Sequence, residues 1–157
     1  MGNEASHIND WDFERFRQAN PGLDVSRLDY ASNMLRGHLT HADGILALAG
    51  LFWPDFRLVD GLVLVDALYT DHKLAQLRAN SLVAEHEVEY WMNMFSVDGF
   101  LEDLPGDTSD RVEALAEVLA SSWNAKAALQ FGAGEVRARI LRDKDVGDIA
   151  VTLVRQR

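Results

Sequence analysis

The chain has 157 residues, 48% of them hydrophobic, with 15 Lys and Arg against 25 Asp and Glu for a formal net charge of −10. A chain of this size buries roughly 68–70% of the surface its unfolded form exposes, which suits a single globular domain over residues 1–157, and the absence of cysteine excludes disulfides, thiolate metal sites and a cysteine nucleophile. The sequence pI near 4.8 argues against nucleic-acid backbones, where affinity comes from Lys and Arg releasing counterions, and against anionic membrane surfaces.

The opening Met1-Gly2-Asn3-Glu4 is polar and has no basic stretch leading into an apolar one, as a secretory signal would. A cytoplasmic protein is expected. Asn9 or Asp10 can cap a first helix carrying Trp11, Phe13 and Phe16, and Asn20-Pro21-Gly22 ends it. Ser26-Arg27-Leu28-Asp29 resembles a capping box, and Leu28, Ala31, Leu35 and Leu39 follow at helical spacing, with Gly37 marking a bend. Residues 40–52 are apolar nearly all round, the pattern of a helix buried between other elements. Their apolar run, residues 45–53, is nine residues long, against about 20 for a membrane span. Trp53-Pro54 stops the helix.

The periodicity then becomes that of strands. Phe56-Arg57-Leu58-Val59 and Leu62-Val63-Leu64-Val65 flank Asp60-Gly61, a strong hairpin signal, and the second strand is apolar enough to be central. Thr70 or Asp71 caps a short helix to Ala79, and a further helix places Ala84, Val88, Trp91, Met92 and Phe95 on one face. Thr108 or Ser109 caps a long helix through Val112, Leu115, Leu119, Trp123 and Leu129, with Gly132 suited to a left-handed cap. Residues 135–140 alternate with period two, and Ile149, Val151 and Leu153 share one face of a last strand. The order is helices, hairpin, helices, hairpin. The expected fold class is α+β, with one antiparallel sheet of about four strands from the two hairpins, packed with about five to six helices.

Charge is uneven along this order. Residues 1–79 carry −4, residues 80–117 carry −9 and residues 118–157 carry +3. The middle segment has ten acids and one base, Arg111. Acids near helix starts complement the helix dipole, but Glu85 and Glu89 form a like-charge i,i+4 pair, which costs a few tenths of a kcal/mol. A single-sign field of this kind steers a basic partner. Arg137 and Arg139 of the last hairpin alternate with Val136, Ala138 and Ile140 and should point outward, toward acids of the same chain or of a second copy.

Motifs for chemistry are weak. His38 and His41 share a helical face with Asp43 nearby, but a zinc or iron site needs a third or fourth ligand that no spacing supplies. His86-Glu87 begins like a zincin motif, yet Tyr90 stands where the second histidine belongs. Asp66 interrupts an apolar strand and could act as a general acid or base; pairing with Arg57 on the neighbouring strand is the plainer reading. Phe131-Gly132-Ala133-Gly134 follows a helix and precedes a strand, the reverse of a dinucleotide fingerprint. Most of Trp11, Trp53, Trp91 and Trp123 are expected as core anchors, Trp91 and Trp123 above all, while an exposed Trp11 beside an acidic face would suit a partner contact.

No family resemblance emerges. The expected function is a non-enzymatic interaction module, with no cofactor and no metal, that presents Glu85, Glu89, Asp98, Glu102, Asp103, Asp107, Asp110 and Glu113 to a basic protein partner. An immunity or inhibitor protein neutralising a toxin or nuclease is its most concrete form. Two alternatives stand beside it: a ligand-binding protein or enzyme with a pocket between helices and sheet, and a homodimer or larger oligomer joined by acidic and basic faces.

Overall fold

The computed structural model describes residues 11–24, 26, 42–101, 109–143 and 148–156. They form six helices and two antiparallel sheets, an α+β chain in two compact units, Met1–Leu46 and Ala47–Arg157. In the first unit α1 (Trp11–Ala19) ends where the Asn20 side chain donates to the Phe16 carbonyl at 2.7 Å, followed by Gly22 at φ 84°. The helix expected after Ser26 lies outside the described residues. Helix α2 (Ala42–Phe52) closes before Pro54, as the proline requires. Its Leu51 is buried, whereas Ile45 and Leu46 are exposed rather than enclosed as expected.

In the second unit, Asp60 and Gly61 take φ values of 50° and 83°, the left-handed pair of a two-residue hairpin turn. They join β1 (Phe56–Val59) to β2 (Leu62–Val65) in the register Val59 to Leu62 through Phe56 to Val65. Alternation then sends Val63 and Val65 into the main core, while Leu62 and Leu64 enter a smaller cluster with Leu74, Val88 and Met92. Helix α3 (Asp71–Ala79) starts where the Thr70 hydroxyl accepts from the Lys73 N–H at 3.1 Å, and α4 (Val88–Met92) follows a short 3₁₀ turn.

The second sheet has the order β3-β5-β4, with β3 (Phe95–Ser96) and β4 (Val136–Arg142) on either side of β5 (Ile149–Arg155). Helix α5 (Val97–Leu101) follows β3, and the long α6 (Ser109–Phe131) covers one face of the sheet. Its Val112, Ala116, Leu119, Ala120, Trp123 and Ala127 recur at helical spacing and pack against Val136, Ala138, Val151 and Leu153. Trp123 is fully buried, and its indole N–H donates to the Leu51 carbonyl at 2.8 Å, tying the end of α2 to this core. Gly132 at φ 99° ends α6 as a left-handed cap.

One expectation needs correction. The two hairpins do not share a single four-stranded ladder: side chains of α4 and the residue after it occupy the space where β2 and β5 would pair. The Glu89 carboxylate accepts from the Val63 N–H at 2.8 Å on one side and from the Arg155 N–H at 2.6 Å on the other. Asn93 accepts from the Val65 N–H at 2.8 Å and donates to the carbonyls of Val63 and Leu153 at 2.8 and 2.9 Å. Because Val63 and Val65 direct their backbone groups away from β1, the second edge of the buried strand β2 is met by these two side chains rather than by another strand.

Trp91 also departs from expectation. It is 41% exposed and meets Tyr90 edge to face at 5.1 Å, because the inward side of the short α4 is taken by Val88, Glu89 and Met92.

Candidate interaction surface

The eight acids singled out in the sequence meet different fates. Glu89 is 6% exposed and bridges the two sheets as described. Asp98, in the first turn of α5, accepts from the Ile149 N–H at the start of β5. These two carboxylates, with Asn93 and β3, close the edge of β5 that faces away from β4: Ile149 meets Asp98, Val151 pairs with Phe95, Leu153 meets Asn93 and Arg155 meets Glu89. Their charge is committed to backbone donors.

Glu85 is exposed and joins Arg78 at 3.4 Å; the same guanidinium holds Asp60 of the hairpin turn at 2.8 Å. The bond to Asp60, with Glu85 close by, raises the Arg78 pKa further above its ordinary range, so this cation keeps its charge. On α6, Asp110, Glu113 and Glu117 recur at i, i+3 and i+7 and so lie along one flank of the helix. Arg142 of β4 reaches Glu113, with its Nε at 3.3 Å, and the Glu113 bond and the nearby Glu117 raise the arginine pKa. Asp110 and Glu117 are exposed and make no ion pair within 4.0 Å among the described residues. Glu102, Asp103 and Asp107 lie outside the described residues.

The structure therefore groups Asp110, Glu113 and Glu117, places Glu85 with a different set of neighbours, and puts Glu89 and Asp98 on backbone donors. Arg137 and Arg139 are exposed, and Arg139 donates to Gln156 at 3.4 Å. Among the described residues, Arg142 is the base of the last hairpin whose side chain forms an ion pair with the acidic segment.

Asp66 stands at the end of β2, where it accepts from the Arg57 guanidinium at 2.6–2.7 Å, and that guanidinium also covers the Tyr69 ring at 4.6 Å. His38 and His41 lie outside the described residues, as does the side chain of Asp43; among the described residues no group of three or more His, Cys, Asp or Glu is placed to hold a metal. Lys73 donates to the Met92 carbonyl at 2.7 Å, and its partial burial lowers its pKa from the ordinary 10.5. It ties α3 to α4. No helix among the described residues is long and apolar enough to cross a membrane.

Two residues that sequence reasoning passed over organise the sheet edges, Asn93 and Asn124. The Asn124 carboxamide accepts from the Ala138 N–H at 2.9 Å and donates to the Ala138 carbonyl at 3.3 Å. A hollow of about 440 Å³ opens beside it, between the end of α6 and β4. The sequence signal for both is an asparagine on or just beyond a helix, where its low helical propensity calls for a partner; the partner itself cannot be read from spacing.

No protein-family model, curated protein or solved structure matches the chain.

Proposed function

We propose that this chain is a non-enzymatic interaction module whose acidic segment, residues 80–117, engages a basic protein partner, with an immunity or inhibitor protein against a toxin or nuclease as its most concrete form. The observation that carries the reading is the −9 charge of those residues within a chain of −10. Support comes from the α6 flank, where Asp110 and Glu117 are exposed on one regular element. The contact acids are Asp110, Glu113 and Glu117, with Glu102, Asp103 and Asp107 just before them in the chain; Glu85 contributes to the field from its own location. Glu89 and Asp98 serve by holding the sheet edges that support this surface. A field of one sign raises association rates by about 10–10³, and rim charges act mainly on the on-rate.

The test begins with affinity capture of a partner from native cells by the full chain. A variant carrying Glu102, Asp103, Asp107, Asp110 and Glu117 all changed to Lys is then compared with the parent. The expected result is association slowed at least about tenfold at low salt, with unchanged circular dichroism. Equal association rates for a folded variant would overturn the proposal.

A further inference from the structure

We infer that the outer edge of β4 is a docking site for an extended acidic segment of another protein, which adds to the three-stranded sheet as a fourth strand. The two edges of this sheet are treated differently. Each outward-facing residue of β5 on the far edge meets a partner, through Asp98, β3, Asn93 and Glu89. On β4, the register with β5 turns the N–H and C=O of Val136, Ala138 and Ile140 outward. Ala138 is met by Asn124, while those of Val136 and Ile140 have no partner among the described residues. An edge of this kind is a template for strand addition.

The Asn124 carboxamide takes both backbone groups of Ala138, as one residue of an antiparallel strand would. It is a side chain that can rotate away. The hollow of about 440 Å³ lies along this stretch, lined by Ala128 and Asn124 of α6, by Gly134 and by residues 136–139 of β4. An incoming residue opposite Ala138 would exchange two hydrogen bonds with it and direct its own side chain to the α6 side, into that hollow. The residues on either side of it would lie opposite Arg137 and Arg139, with their side chains on the solvent face beside the two guanidinium groups.

Charge then selects the occupant. Arg137 and Arg139 are exposed, and neither pairs with a carboxylate among the described residues. A second copy adding β4 to β4 would bring arginines of the same face together, and like charges on facing strands destabilise a pair. An acid, apolar, acid sequence in extended form satisfies the two arginines, the hollow and the backbone at once.

The probe is a labelled acetyl-Thr-Glu-Val-Glu-Thr-amide titrated into the full chain at low salt, beside the same peptide with Lys for Glu and a third with N-methylated valine. The Glu peptide should bind, the Lys peptide should not, and N-methylation, which removes the N–H aimed at the Ala138 carbonyl, should weaken binding by about tenfold. The side-chain amide resonances of Asn124 should shift on binding. The variant Arg137→Glu with Arg139→Glu should reverse the preference to the Lys peptide. Equal binding of the N-methylated peptide would reduce the site to plain charge attraction and overturn strand addition. Failure of the Glu peptide to bind, or a concentration-dependent dimer blocked by the double variant, would overturn the acidic occupant.

Discussion

Glu89 and Glu85 differ by one helical turn in sequence and by everything that decides an energy. Glu85 is exposed and meets the Arg78 guanidinium at 3.4 Å, an exposed pair of a kind worth about 0–1 kcal/mol. Glu89 is buried, and each of its oxygens accepts a backbone N–H, from Val63 and from Arg155. Gln has one acceptor oxygen, so Glu89→Gln leaves one N–H facing an NH₂ group. A buried donor without an acceptor costs about 1–3 kcal/mol, and the urea midpoint should fall accordingly. Glu85→Gln should change the stability by less than about 0.5 kcal/mol and leave the midpoint nearly in place. Equal midpoints for the two variants would show that the Glu89 carboxylate does not hold the sheets together. Nothing in the spacing of the sequence separates these residues. The partners that bury Glu89 lie 26 and 66 residues away along the chain, so in a count of charges it joins a surface to which it does not belong. Asp98 is only half-buried, but it too meets a partner far along the chain, 51 residues away. Arg57 and Asp66 were legible because a two-residue turn fixes the register that brings them together.

At the scale of elements, what depends on neighbouring residues was readable and what depends on assembly was not. The Asp60-Gly61 turn, the Thr70 cap and the Gly132 cap each rest on a few consecutive residues whose chemistry admits few backbone conformations. The long α6 and the alternation of β4 follow from periodicity sustained over many residues. The division into two sheets rests on Asn93 and Glu89, one of which reads from sequence as a surface charge. The exposed Trp91 shows how little a five-residue helix constrains which side faces inward. Asn124 offers a direct test of edge closure by a carboxamide. Asn124→Ala leaves the Ala138 N–H and C=O to water, with an expected cost of about 1–2 kcal/mol. Hydrogen exchange should show the Ala138 amide losing protection while Leu141 and Thr152, whose amides bond within the β4 and β5 ladder, fall only by the global change. Unaltered protection at Ala138 would mean that the strand edge is held some other way.

For the whole molecule, the question is how much of the −10 acts outward. Arg78 is shared between Asp60 and Glu85, Arg142 sits on Glu113, and Lys126 lies 3.5 Å from Asp55. Glu89 and Asp98 face backbone donors, and Arg137 and Arg139 leave positive charge on the opposite face of the β4 and β5 sheet from α6. The exposed ion pairs are each worth about 0–1 kcal/mol and are weakened by salt. Net repulsion among the remaining acids is spread over the surface and is relieved by salt. The two effects have opposite signs, so a melt decides between them. If repulsion dominates, as ten acids to one base in residues 80–117 implies, raising salt from about 0.02 to about 0.5 M at pH 7 shortens the screening length several-fold. That should add about 1 kcal/mol, or roughly 2–4 °C in Tm for a chain of this size. Near the sequence pI of about 4.8 the net charge vanishes, and the salt increment should vanish with it. A Tm that falls with salt at pH 7 would instead show that Arg78, Arg142 and Lys126 neutralise the molecule internally, leaving too little outward field to steer a basic partner.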